Sequence, residues 1–420
     1  MKDILPDEVY HWQRIEWLLR AHFESFCYRE IRTPLVEEAG LFSRAIGEAT
    51  DIVNKEMYEF ADRSERQLAL RPEATASIAR TYIEHGFAKT HGVVKWYYIG
   101  PMFRAERPQR GRQRQFHQAG VELIGSDSHY YDAEAILLLC NIMHSLGIEA
   151  WRLAVNNIGC LDDRRLITDR LRRILTKERS ALCDDCTQRL QGNVLRILDC
   201  KKPECRKVID ALPEWDRWIC DGCTKHFNRV IALLSCAGVT YTKEPHLVRG
   251  LDYYTKTVFE MTLPQLGAQD AVAAGGRYDA LISQLGGERV GAVGFAIGLE
   301  RLLLASAHFL SGETKKTPDA FLVTTSLEAC DSAFILLYQL RTNGVMCDMD
   351  FEGKSLKAQM RQAGKAAARF VIILGEDEIR GGTVTVKDMG QGVQESIQQE
   401  RLIPFLKERS AGEHGACQDT

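Results

Sequence analysis

Two β-rich runs, KWYYIGPMFR (95–104) and FHQAGVELIG (116–125), stand on either side of a loop too charged to be buried, and together they limit what this chain can become. Five arginines occupy the eleven positions from Arg104 to Arg114. Such a pair of runs predicts a hairpin with a long basic loop, with Arg104 at the end of the outgoing strand and Phe116 at the start of the returning one. Further strands are predicted at Val258 to Leu263, Val272 to Ala274 and Val293 to Ala296. Long connections separate several of them, and the sheet they predict is dominated by antiparallel pairs instead of being doubly wound.

The 420 residues and a hydrophobic fraction of 45% are enough for two or three domains with ordinary cores. A formal charge of −3 excludes a globally basic field, so any nucleic-acid contact must use local patches such as the arginine loop. No charged leader with an apolar core opens the sequence, and no run reaches the ~18 apolar residues of a membrane span, which predicts a soluble, cytoplasmic protein with no membrane partner. Thirteen scattered cysteines predict reduced thiols. Cys27, Cys140, Cys160, Cys236, Cys330 and Cys347, set among apolar neighbours, read as small core residues.

Apolar residues recur at helical spacing from Leu5 to Phe26, and Pro6 and Asp7 mark the start of a long amphipathic helix. YREIRTPLVE follows as an edge or interface strand, because Pro34 cannot donate to a ladder. Residues 162–228 break the strand pattern with charged, helix-forming, cysteine-bearing sequence and read as an inserted helical module within a core of residues 1–161 and 229–312. SGETKKTPD (311–319) is a polar linker. Beyond it, residues 319–420 alternate strand and helix, which predicts a small α/β domain with a mostly parallel sheet. The sequence contains no internal repeat.

Gly353, Lys354 and Ser355 fail as a phosphate loop because Asp348 stands where that motif needs a glycine. Any phosphates must then be held by side chains, and guanidinium suits them, being permanently charged and able to fork onto two oxygens. Three other stretches point to the same chemistry. LVRGLDYYTKTVFE (247–260) sets Arg249 ahead of an acid and two tyrosines. AAGGRYD (273–279) has glycines that allow close backbone approach, and GAVGFAIGLERLLLA (291–305) turns from small residues into a helix carrying Glu300 and Arg301. Taken together they predict a cleft lined by arginine, tyrosine and carboxylate, where a lone run of this kind would be an ordinary solvated surface.

These stretches resemble the class II aminoacyl-tRNA synthetases, and among them the histidyl-tRNA synthetases. IRTPLVEEAGLFSRAIGE, FRAERPQRGRQRQFHQAGVE and GFAIGLERLLL are similar to the three motifs of the class, and LVRGLDYYTKTVFE and AAGGRYD to the two signatures of the histidine enzymes. The resemblance covers nearly the whole chain. It implies an α+β catalytic domain, with a six-stranded antiparallel sheet flanked by helices, a C-terminal α/β anticodon-binding domain, and a homodimer built partly through the first motif. It implies that histidine and ATP, with magnesium, form histidyl-adenylate, and that the histidyl group moves to tRNA(His). Arg104 would hold the α-phosphate, Glu106 would read the adenine amino group, and Phe116 and Arg301 would sandwich the purine. Arg112 would also bind ATP, and the loop from Arg107 to Arg114 would meet the tRNA acceptor end. Arg249 would stand near the α-phosphate where other class members use a metal. Arg249, Arg104 and Arg301 are thus the catalytic candidates, the first two lying beside bound histidine as well. RPEAT (71–75) resembles the family's loop, so Glu73, Ala74 and Thr75 with Gln118 would bind the α-amino end, and Glu122, Tyr253, Tyr254 and Tyr278 the ring. Ala74 departs from the family's usual glycine.

Cys183, Cys186, Cys220 and Cys223 form two CxxC pairs, a candidate tetrahedral set for structural zinc, with Cys200 and Cys205 between them and buried reduced thiols as the alternative. The rival function is a regulatory, non-catalytic relative serving the phosphoribosyltransferase of histidine biosynthesis. The intact histidine signatures and the α/β tail weigh against it.

Overall fold

The predicted hairpin forms the heart of a mixed sheet. In the computed structural model, which describes residues 2–48, 50–106, 113–310 and 317–414, strand Val94–Phe103 pairs antiparallel with Gln115–Ile124 over ten residues, from Val94 opposite Ile124 to Phe103 opposite Gln115. The sheet continues through Ala292–Gly298, Ala271–Arg277, Thr255–Thr262 and Arg152–Asn157, all antiparallel. Two-residue strands, Arg29–Glu30 and Thr242–Lys243, add parallel edges. Six antiparallel strands therefore make up the body, as the resemblance implies; the β-rich runs predicted five of them and missed Arg152–Asn157.

Period-two alternation gives this sheet two different faces. Tyr97, Val121, Phe295 and Phe259 point to one side and join a core closed by helices Pro6–Ser25 and His129–Ser145. The first helix buries Ile15, Leu18, Leu19 and Phe23, a stripe at helical spacing. On the other face the register aligns Tyr98, Gly120, Ala296, Ala274 and Glu260 in one row across five strands. The next row holds Trp96, Glu122, Gly294, Gly276 and Val258. With Gly100, Gln118 and Gly298 beside them, small residues pave this face and leave room above it.

YREIRTPLVE does not form one strand. Arg29–Glu30 pairs with the large sheet, while Val36–Glu38 belongs to a separate three-stranded sheet with Gln67–Leu70 and Tyr58–Ala61. Pro34 lies between the two pieces. Residues Ile167 to Cys223 of the cysteine-bearing segment enclose a hydrophobic cluster of their own with Val248. Farther along helix Asp221–Cys236, Phe227, Val230 and Leu234 join the core of the main sheet.

The chain divides into compact units Met1–Glu313 and Thr314–Thr420. In the second, Cys347–Met349, Ala320–Thr324 and Phe370–Leu374 are parallel, with Thr383–Asp388 and Gln394–Gln398 added antiparallel. The sheet is mixed instead of mostly parallel. Helix Glu376–Gly381 is too short to return the chain for a parallel pairing, which needs a crossover of about a dozen residues. Two of the cysteines read as core residues are also corrected: Cys27 and Cys236 are exposed, Cys27 lying past a helix end at φ 64°. Among the described residues no helix is long and apolar enough to cross a membrane.

Candidate active site

The Gly/Ala-paved face carries a buried carboxylate at its centre. Glu122 is only 2% exposed. Its Oε1 accepts a hydrogen bond from the Thr75 hydroxyl at 2.6 Å, and Oε2 accepts one from the Tyr278 hydroxyl. Burial pushes its pKa up to about 8. The two hydroxyl donors oppose that shift, and the neighbouring Glu73 adds to it. A side chain at position 294 would displace this carboxylate, since a Cβ would lie 2.0 Å from Glu122 Oε2 and 2.4 Å from the Val121 carbonyl oxygen. A small cavity opens beside this carboxylate, lined by Thr75, Glu122, Tyr254, Tyr278, Gly294 and Ala296. Four residues named for histidine from the sequence thus share one cavity wall.

Glu73 sits below Thr75, at the start of helix Thr75–Glu84. Its carboxylate accepts the Thr75 N–H at 2.7 Å and the Ala76 N–H at 2.9 Å, so helix-end donors hold it in place. Burial raises its pKa and these donors pull against that. Ala74 has φ −104°, where a methyl group costs nothing, so the departure from glycine leaves the loop intact. Tyr253 is buried against both other tyrosines, with ring centroids 4.7 Å from Tyr254 and 5.7 Å from Tyr278. Gln118 lies on the same face, with its Oε1 buried and unpartnered among the described residues. A buried amide oxygen without a donor is costly and stands ready for a ligand.

The arginines flank this floor. Arg104 Nε donates to the Pro72 carbonyl at 3.0 Å, and its guanidinium carbon lies 5.2 Å from the centre of the Phe116 ring. Arg301 donates to the Ala271 carbonyl, where it follows Gly298 off the end of its strand. Arg249 donates to Glu260, the last residue of the paved row. Glu106 is half-buried at the edge of the described loop. Arg112 and residues 107–111 lie outside the described residues.

Several contributors escaped sequence reasoning. Arg71 ties the RPEAT loop to the sheet through Pro101 O at 3.0 Å and Thr33 O at 3.1 Å. Tyr98 is buried beside Gly120 on the glycine-paved face, and period-two counting along its strand is the signal that could have found it. Glu300, which the sequence did mark beside Arg301, accepts both the backbone N–H of His117, at 2.9 Å, and its ring Nδ1–H, at 3.0 Å. Arg164, on the helix opening the cysteine-bearing segment, donates to the carbonyls of Asp252 at 2.6 Å and Tyr254 at 2.8 Å. Arg196 packs beneath Gly250, where a Cβ would come within 2.6 Å of its Nη1. That segment therefore grips the loop that bears Arg249, Tyr253 and Tyr254.

The expected zinc set does not assemble. Cys183 and Cys186 gather with Cys200 and Cys205, while Cys220 and Cys223 gather with Cys160 and Asp163. The two CxxC pairs open different helices, Asp184–Arg189 and Asp221–Cys236, and each turns towards its own neighbours. A wider cleft near Pro34, Glu37, Arg80 and Glu84 is no rival site, because Arg80 is already paired to Glu37 at 2.8 Å and Glu84 at 2.5 Å.

Comparison with known proteins agrees with this geometry. The family model for histidyl-tRNA synthetase matches residues 1–302. The chain belongs to the histidyl-tRNA synthetase family. A second model, an anticodon binding domain, matches residues 319–409. Histidine–tRNA ligase of Syntrophomonas wolfei is 46% identical, covering 96% of each chain, and that of Syntrophotalea carbinolica is 46% identical, covering 98% of each. The apo crystal structure of S. aureus histidyl-tRNA synthetase superposes with a TM-score of 0.81 at 34% identity, covering 97% of this chain and 98% of the other.

Proposed function

We propose that this chain is a histidine–tRNA ligase that works in two steps at the paved face. The histidine carboxylate attacks the α-phosphorus of ATP, forming histidyl-adenylate and releasing pyrophosphate. A terminal ribose hydroxyl of tRNA(His) then attacks the activated carbonyl and AMP leaves. Magnesium enters as the counter-ion of the ATP phosphates.

One observation carries the choice of histidine: a nearly neutral, fully buried carboxyl at Glu122, braced by two hydroxyls, in a cavity with Tyr254. Neutral imidazole offers one N–H donor and one acceptor. A carboxyl flanked by tyrosine hydroxyls can answer both, and amino acids that leave those groups unpaired are rejected. Glu73, Thr75 and Gln118 take the α-ammonium, with Ala74 between them, and Tyr253 backs the ring. Arg104 and Arg249 face the α-phosphate, where fixed cations stabilise charge that develops in the transition state. Phe116 and Arg301 hold the purine, and Glu106 its amino group. Arg112 contributes to ATP and, with the rest of the basic loop, to the acceptor end. The second unit reads the anticodon, and the working form is a cytoplasmic homodimer.

The regulatory alternative is weaker, because the face supplies groups for ATP as well as for histidine. A charging assay with purified tRNA(His), ATP and each amino acid in turn tests the proposal. Charging confined to histidine supports it, and histidine binding without adenylate formation overturns it.

A further inference from the structure

Four thiols from three short pieces of chain meet in the segment that grips the Arg249 loop. Cys183 and Cys186 flank the start of helix Asp184–Arg189, Cys200 ends the 3-10 turn Val194–Asp199, and Cys205 lies in the first turn of helix Pro203–Asp210. Their sulfurs all lie within 4.8 Å of one another. A zinc tetrathiolate with Zn–S bonds of about 2.3 Å has sulfurs separated by about 3.8 Å, so a slight inward movement completes the tetrahedron. Cys186, Cys200 and Cys205 are buried, and Cys205 Sγ also accepts the backbone N–H of Cys183 at 3.3 Å. None of the four forms a disulfide.

We infer that Cys183, Cys186, Cys200 and Cys205 bind a single zinc ion, a structural site separate from the histidine and ATP chemistry. Binding replaces the four S–H bonds by S–Zn bonds and releases the thiol protons to solvent, with no change of oxidation state. The need is local. The surrounding elements are short helices and 3-10 turns around a small cluster, and modules of this size commonly rely on a metal staple. By tying residues 183–205 together, the ion fixes Arg189 and Arg196, which both hold Asp51, at 3.1 and 3.2 Å, next to the Arg249 loop. The second cluster differs. Both oxygens of Asp163 are already engaged, accepting the N–H groups of Cys160 and Cys220 at 3.1 Å each, so that carboxylate fastens two helix starts.

Elemental analysis of the full chain, expressed with zinc and purified without chelator, tests the site without reference to activity. About one zinc per chain is expected, falling below about a quarter in Cys183→Ser, Cys186→Ser, Cys200→Ser and Cys205→Ser, and staying near one in Cys220→Ser and Cys223→Ser. Cobalt exchange into the wild-type protein should give thiolate-to-cobalt charge-transfer absorption, which reads the bound sulfurs directly, and far-UV circular dichroism of the serine variants separates ligand loss from misfolding. Less than about a tenth of an equivalent of zinc, with thiol reactivity unchanged by chelator, overturns the inference. So does stoichiometric iron, or metal lost from the 220 and 223 variants and retained in the 200 and 205 variants.

Discussion

Replacing Glu122 by glutamine removes a titrating group while keeping nearly the same shape. In the folded, ligand-free protein the Glu122 carboxyl holds its proton up to about pH 8, whereas in the unfolded chain it ionises near 4.5. Between those values the folded state binds more protons than the unfolded one, so this group's contribution to stability is complete below about 4.5 and is lost as pH rises through 8. The loss amounts to about 1.4 kcal/mol per pH unit at most, on the order of a few kcal/mol across the window. Glutamine does not titrate. The stability difference between wild type and Glu122→Gln, measured by urea unfolding of the apo protein, should therefore shift in favour of the variant between pH 5.5 and 8.5. In histidine-dependent ATP–pyrophosphate exchange, loss of a hydrogen bond to a charged or strongly polarised group of about 1.5–3 kcal/mol predicts a KM for histidine roughly 10- to 100-fold higher. The limb near pH 8 should vanish from the variant's pH profile. Parallel unfolding curves for the two proteins at both pH values, together with an unchanged KM for histidine, would refute the placement of this carboxyl.

Arg249→Ala should leave a folded protein whose pyrophosphate exchange falls by about 10² to 10³, as for the loss of a preorganised cationic donor, and exchange near the wild-type rate would remove Arg249 from the chemistry. Gly294→Ala forces a methyl group against Glu122 and Val121, and a cost of about 1–3 kcal/mol should appear in thermal unfolding together with a raised KM for histidine. Arg277 is fully buried and donates to Asp132 at 2.5 Å and Asp279 at 2.9 Å, so Arg277→Met leaves those carboxylates only His226 and Lys256, each at 2.8 Å, and should destabilise by about 3 kcal/mol; a melting curve like the wild type's would show that the two remaining partners suffice.

Local pattern carried much of this structure. Alternation in KWYYIGPMFR and FHQAGVELIG marked the central hairpin, and the helical stripe from Val9 to Phe26 marked the first helix, because both signals repeat within a few residues. Glycines in AAGGRYD signalled close backbone approach for the same reason. What local pattern could not show was register. That Tyr98, Gly120, Ala296, Ala274 and Glu260 share a row depends on four pairings between strands that lie as far apart in sequence as Tyr98 and Ala296, and no stretch of residues records it. The same gap explains the cysteines: CxxC spacing identifies pairs but not which pairs meet, and here the partners of Cys183 came from Cys200 and Cys205. The clamp from Arg164 was also hidden, since its acceptors are backbone carbonyls that any residue could supply.

The floor of the pocket has a bearing on how its selectivity could be altered. Gly294 and Ala296 line it with little beyond peptide backbone, so there is next to nothing there to trim, and a bulkier amino acid could be admitted only by whittling the tyrosine and threonine walls. Those walls also brace Glu122. On the proposed placement of histidine, widening the chamber and loosening its grip on imidazole would then be one and the same change, a tie that a pocket shaped by removable side chains would not have.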